Sequence, residues 1–192
     1  MKILMTAVVV LAWAASLSAL IINVPAEYAT IQAGIDASAD GDTVLVAPGT
    51  YHERINFNGH ACILASRYYT TGDTTFIGNT IIDGDSLGTV VVFENGENQA
   101  VLAGFTVQYG LNYGGLGGGI RCLNSSPQIV NNVIRWNASS VGAGIYCNQS
   151  NSVIAKNEIH ENVAIGYGGG IHCVASSPTI VGNTISGNWS YY

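Results

Sequence analysis

Arg121, Tyr146 and His172 stand at regular distances (146 − 121 = 25 and 172 − 146 = 26), each between an isoleucine and a cysteine. Arg135 and His160 keep the first of these distances (160 − 135 = 25), with Ser186 following and with Trp136 and Glu161 beside them. A guanidinium pairs with carboxylates, an aromatic ring offers an apolar platform to a sugar face, and an imidazole joins the cationic set when protonated. Such columns suit a shallow groove for an acidic polysaccharide, with binding that strengthens at mild acidity and weakens with salt. The plainer reading is that outward columns of a repeat vary freely, and three turns supply an arginine, a tyrosine and a histidine by composition alone.

Other reactive groups read as structural. Asp40-Gly41-Asp42 and Asp83-Gly84-Asp85 place paired carboxylates around a glycine. A Ca²⁺ site needs several converging oxygens, whereas Asp and Gly are preferred turn residues, so both read as turns and no cofactor is expected. Glu158 and Glu161 read as solvated surface, the usual place of glutamate. Cys122, Cys147 and Cys173 share one position of the repeat and read as buried free thiols. No Cys-x-x-Cys or clustered Cys/His spacing suggests zinc. Asn124, Asn137, Asn148 and Asn188 begin glycosylation-type triplets, which Asn and Ser enrichment at turns also explains.

What must position these residues is a repeat. Gly119-Ile120-Arg121-Cys122 recurs as Gly144-Ile145-Tyr146-Cys147 and Gly170-Ile171-His172-Cys173. Asn132, Asn157 and Asn183 follow the same spacing, as do Ile134, Ile159 and Ile185, and Asn137, Asn162 and Asn188. A period of this size signals a solenoid. The Leu-x-x-Leu-x-Leu signature and hexapeptide repeats are both missing. Each unit instead contains three short β-type runs between Gly, Asn, Ser or Pro.

The expected fold is therefore all-β, a right-handed parallel β-helix of about six coils, stacked at ~4.8 Å. Ile120/Ile145/Ile171, Ile129/Ile154/Ile180 and Ile134/Ile159/Ile185 should form inner columns, and Asn132/Asn157/Asn183 an amide ladder. Earlier strands are expected at 43–46, 55–57, 62–65, 80–82, 90–93 and 101–107. A helix over 30–39, capped by Thr30 with Ile31 and Ile35 on one face, should cover the open first coil.

Residues 1–19 read as a secretory signal peptide: Lys2, an apolar run without charge, then small residues up to Ser18 and Ala19. The organisation expected is signal peptide 1–19, cap 20–42 and β-helix 43–192, with further coils expected beyond Tyr192 because no closing cap is visible. Secretion and an extracellular or cell-surface location follow, with no membrane span after cleavage. Without Lys2, five basic residues against twelve acidic give a net charge of −7 (5 − 12). The absence of a basic patch argues against a nucleic-acid partner.

The stretch Tyr28-Ala29-Thr30-Ile31-Gln32-Ala33-Gly34-Ile35-Asp36, with Gly41-Asp42-Thr43-Val44-Leu45-Val46-Ala47-Pro48-Gly49-Thr50-Tyr51, resembles the opening segment of the pectate-lyase-like β-helix superfamily. The Gly-Gly-Gly-Ile-x-Cys and Ser-Ser-Pro-x-Ile-x-x-Asn repeats resemble β-helix proteins that bacteria export to their surface. The resemblance covers nearly all of the chain after 1–19 and implies the fold more than the activity. Pectin methylesterase-type motifs are represented by Gln99-Ala100-Val101 alone, and the Asp-Asp and Gly-His-Gly motifs of polygalacturonase-like hydrolases are absent. The leading expectation is a secreted or cell-surface module making non-catalytic polysaccharide contact through Arg121, Tyr146, His172, Arg135 and His160. The alternatives are a polysaccharide lyase or glycoside hydrolase of that superfamily, and a structural spacer or adhesin stalk.

Overall fold

The computed structural model describes residues 18–192, so all of the leader but Ser18 and Ala19 lies outside the described residues. The described chain is a parallel β-helix of seven turns. Its longest sheet stacks Ile21–Val24, Thr43–Val46, Ile63–Ser66, Val101–Ala103, Gln128–Val130, Val153–Ala155 and Thr179–Val181. A six-stranded sheet runs from Gly49–His52 through Thr80–Asp83, Thr106–Gln108, Val133–Arg135 and Glu158–His160 to Thr184–Ser186. A five-stranded sheet comprises Ile55–Asn56, Val91–Phe93, Ile120–Leu123, Ile145–Asn148 and Ile171–Val174.

Seven turns replace the six expected. The extra rung is Ile21–Val24, which pairs in parallel with Thr43–Val46 from inside the segment assigned to the cap. A fourth sheet also replaces the three strands per turn: Leu111–Leu116, Ala138–Val141, Val163–Ala164 and Trp189–Ser190 stack after the second strand of their turns. These segments lack a sustained run of β-branched residues, and their extended shape comes from pairing with the rung beside them. The 101–107 run divides into two strands of different sheets because Gly104, at φ 82, turns the corner between them.

The inner columns are in register. Ile22, Val44, Leu64, Leu102, Ile129, Ile154 and Ile180 form one, and Ile55, Val91, Ile120, Ile145 and Ile171 another. Ile134, Ile159 and Ile185 continue a third that begins with Tyr51, Ile82 and Val107. Stacking apolar side chains in register gives each inner residue a neighbour of similar character above and below, which buries the interior that no single rung could bury alone. At the N-terminal end the helix Ile31–Ala37 covers the first rung. Thr30 accepts the Ala33 N–H at 3.1 Å, and Glu53 accepts the N–H groups of Ile31 and Gln32 at 2.9 and 3.0 Å. Gly34 permits the close approach: a Cβ there would lie 2.9 Å from Val44 Cγ1.

Two asparagine ladders hold the corners. Asn132 Nδ2 donates to Asn157 Oδ1 at 3.1 Å, and Asn157 Nδ2 to Asn183 Oδ1 at 3.0 Å. The second ladder joins Asn137, Asn162 and Asn188 through bonds of 3.0 and 2.9 Å. Asn137 is thereby buried, and its amide is engaged by the fold, not presented for glycosylation.

Cys122, Cys147 and Cys173 stack in register behind Phe57 and Phe93, whose rings lie 4.2 Å apart. All are free thiols, and no disulfide occurs among the described residues; Cys122 and Cys147 are buried and Cys173 is exposed. The neighbouring Cys122 thiol, with burial, pushes Cys147 well above the ordinary thiol range, which suppresses the reactive thiolate. The neighbouring Cys147 thiol raises Cys173 in the same direction, so access and not acidity separates the three: native alkylation should label the exposed Cys173, slowly, and leave the buried Cys122 and Cys147 unmodified until the chain unfolds. A peptide containing a 122–147 or 147–173 disulfide in a non-reducing digest would contradict this packing.

Candidate functional site

The outward column of the five-stranded sheet runs Asn56, Val92, Arg121, Tyr146, His172, each in register with the next. A glycine turn before each of the last three strands sets its position. Gly117, Gly142 and Gly168 adopt φ of 72, 66 and 69, and a Cβ on them would fall 2.9, 2.8 and 2.6 Å from the Cβ of Arg121, Tyr146 and His172 respectively. The glycine-rich loops therefore lie directly against the column. They narrow the space beside it and restrict the rotamers of its side chains.

Arg121 is half-buried. Its Nη2 donates to Glu94 Oε2 at 2.6 Å, while Asn56 Nδ2 donates to Glu94 Oε1 at 3.1 Å. Arg121 Nε is buried with no hydrogen-bond partner among the described residues. A guanidinium has five N–H donors, so this one gains from any further oxygen acceptor. It borders a cleft of about 420 Å³ whose other polar lining includes Arg54, Asn56, Thr89 and Asn112. Arg54 reaches across the opposite side, donating to Leu87 O at 3.1 Å. It lies against Gly88, where a Cβ would stand 2.9 Å from Arg54 Nη1. Asn112 Nδ2 donates to Thr89 Oγ1 at 3.0 Å, and Thr89 Oγ1 to Gly117 O at 2.6 Å, which fixes the polar wall. The cleft is thus bordered by two guanidiniums, one of which is paired with Glu94.

Tyr146 does not present the ring expected of it. It is 4% exposed, closed in by its column neighbours and the Gly142 turn. His172 stacks on it at 5.9 Å with an interplanar angle of 10°, and Tyr167 stacks on His172 at 6.3 Å. The accessible aromatic surface on this face belongs to Tyr167, which is 60% exposed.

Arg135 and His160 lie on the six-stranded sheet, so the structure does not bring them to the same face. Their outward column is His52, Asp83, Gln108, Arg135, His160, Ser186. Arg135 donates to Gln108 Oε1 from Nε and Nη2 at 3.3 and 3.2 Å, and its guanidinium lies 4.0 Å over the Trp136 ring. Trp136 stacks on Tyr109 at 5.4 Å and donates to Glu161 at 2.5 Å, while His160 Nδ1 stands 3.4 Å from the same carboxylate. These groups are largely engaged with one another. The column ladder makes a polar surface more than a recess.

The paired aspartates divide. Asp42 is a turn residue, accepting from Leu20 N and Ala39 N at 2.8 Å each. Those two N–H groups hold its carboxyl below the ordinary value. Asp85 instead meets His52, Nδ1 to Oδ1 at 2.7 Å, and this hydrogen bond raises the imidazole above its ordinary value.

Arg54, Glu94 and Asn112 escaped the sequence reading. They sit in irregular parts of the repeat, and only Asn56 and Val92, being in register with Arg121, point back to that region. No protein-family model, curated protein or solved structure matches this chain.

Proposed function

We propose that this chain is an exported β-helix module that binds acidic polysaccharide without cleaving it, through the outer face of the five-stranded sheet. The observation that carries the reading is the cleft bordered by two guanidiniums, Arg54 and Arg121, where Arg121 is paired with Glu94 and its Nε lacks an acceptor among the described residues. A uronate carboxylate or a sulfate ester supplies the bidentate oxygens that guanidinium binds best. Tyr167 and His172, farther along the same face, provide a stacked aromatic edge for sugar rings. The parallel β-helix is consistent with the pectate-lyase-like resemblance of residues 28–36 and 41–51, and the pattern of 1–19 supports export. Both supports are of fold and address, not of chemistry.

The test is retention on immobilised pectate or alginate. The wild type should be retained at low salt and eluted as ionic strength rises, because exposed charge pairs are screened. An Arg54→Ala/Arg121→Ala double variant should lose affinity by about 10-fold or more, one charge-assisted hydrogen bond being worth roughly 1.5–3 kcal/mol. Tyr146→Phe, which leaves the buried ring in place, should be retained like the wild type. Absence of wild-type retention on every acidic glycan would refute the reading. Release of unsaturated or reducing-end products would instead favour the lyase or hydrolase alternative.

A further inference from the structure

We propose that His52, Asp83 and Asp85 bind a divalent transition-metal ion of the zinc type at the outer edge of the six-stranded sheet. His52 closes the strand Gly49–His52, and Asp83 is its register partner one turn along, so both project from the same outward column. The chain then reverses at Gly84, and Asp85, at φ 50, returns a second carboxylate to the imidazole. One ligand atom from each of the three residues lies within 4.8 Å of the others. Metal–ligand bonds of about 2.0–2.2 Å span such a gap after small side-chain rotations.

Support from outside the three residues distinguishes this group from a chance pairing. Asp83 is 7% exposed, an unusual position for a carboxylate. Gln108 Nε2 donates to its Oδ2 at 3.0 Å, and Gln108 is itself clamped by Arg135 through its Oε1. An amide fixed by a guanidinium and fixing a carboxylate is the kind of support that orients a metal ligand. Each Asp83 oxygen can still accept a second bond. A recess of about 50 Å³ borders His52, Asp83 and Asp85, room for an ion with a bound water.

Two charged neighbours, Glu53 and Arg54, also border the recess, and both have partners of their own. Glu53 is engaged by the N–H groups of Ile31 and Gln32, and Arg54 Nη1 is turned to Leu87 O. The imidazole nitrogen selects the class of ion: Ca²⁺ takes six to eight oxygens, whereas zinc-type ions favour mixed nitrogen and oxygen sets. Three protein ligands leave a position for water or an incoming oxygen. The turn reading of Asp83-Gly84-Asp85 still holds, and the decisive ligand is a histidine thirty-one residues earlier (83 − 52 = 31), which pattern inspection does not connect to it.

The test is calorimetric titration of the full chain with Zn²⁺, alongside thermal unfolding. One ion per chain should bind to the wild type. His52→Ala and Asp83→Asn should weaken binding by about 10-fold or more, and His160→Ala and Cys173→Ser should leave it unchanged. Without metal, His52→Ala should unfold at the wild-type temperature, since this side chain is exposed, and Zn²⁺ should raise the midpoint of the wild type but not that of His52→Ala. Absence of zinc uptake, uptake that survives His52→Ala, or uptake abolished by Cys173→Ser would each overturn the assignment. So would Ca²⁺ binding that matches Zn²⁺ and is indifferent to His52→Ala.

Discussion

Asn157→Ala should lower the free energy of unfolding by about 3 kcal/mol, from roughly 1–3 kcal/mol for each buried polar group left without its partner. Asn157 is the middle rung of its ladder. Its Oδ1 accepts both the backbone N–H and the Nδ2 of Asn132, at 2.9 and 3.1 Å. Its Nδ2 donates to Ile129 O at 2.8 Å and to Asn183 Oδ1 at 3.0 Å. Alanine removes all four bonds at a corner that water does not reach. Asn132 Nδ2 keeps Leu102 O and Val130 O as acceptors, so the loss falls chiefly on the Asn132 N–H and the Ile129 carbonyl. Asn157→Asp tests the same account from the other side. It preserves an acceptor for Asn132 but sets an oxygen against Ile129 O and Asn183 Oδ1, and should cost at least as much. Urea denaturation of the three proteins measures both effects, and a loss below about 1 kcal/mol for alanine would mean that the corner relaxes or hydrates on truncation.

Glu97→Ala should be comparably damaging and should also change the response to acid. The carboxylate is fully buried. Its Oε1 accepts from Gly59 N at 2.9 Å, and its Oε2 from Asn95 N at 2.8 Å and Ser125 Oγ at 2.7 Å. It therefore joins three successive turns at one corner, and removing it leaves two backbone donors unpaired, at a cost of about 3 kcal/mol in total. Burial alone would raise the Glu97 pKa, but the bonds from Ser125, Asn95 and Gly59 outweigh it and hold the group below its ordinary 4.5.

A carboxyl whose folded pKa lies below its unfolded value stabilises the fold above the unfolded value. That contribution disappears as pH falls through the folded one. Wild-type stability should thus decline as pH drops below about 4.5, the window set by this depressed carboxyl. Glu97→Gln, which cannot ionise, should show a shallower decline over the same range while being less stable at neutral pH. Identical acid slopes for the two proteins would mean that Glu97 titrates alike in folded and unfolded chains.

The repeat made much of the fold legible. Ile120, Ile145 and Ile171 could be assigned one inner column because a spacing of 25 and 26 residues leaves a single register in which like stacks on like. The same argument yields the ladder of Asn132, Asn157 and Asn183. Thr30 before Ile31 and Ile35 marks the capping helix by short-range rules that need no partner. The fourth sheet was illegible for the opposite reason. Ala138–Val141 and Val163–Ala164 have little intrinsic strand preference and become strands through the rungs beside them. Glu97 was missed because it belongs to an irregular early turn, while the serine it meets, Ser125, begins a series continued by Ser150 and Ser176.

The candidate sites divide along the same line. Arg121, Tyr146 and His172 were placed on one outward column by counting alone, and so were Arg135 and His160 on another, because side-chain direction alternates strictly along a strand. Counting is blind to what surrounds an outward side chain. Glu94 and Asn56 engage Arg121, stacking beneath His172 buries Tyr146, and Arg54 arrives from a loop to complete the cleft. His52 finds Asp85 through a turn whose path no periodicity encodes. Inner columns are governed by shape and apolarity, properties that each rung repeats and that a linear pattern therefore records. Availability on the outer surface depends on which side chains from distant, non-repeating segments reach the same few ångströms, and that arises when the coils pack together.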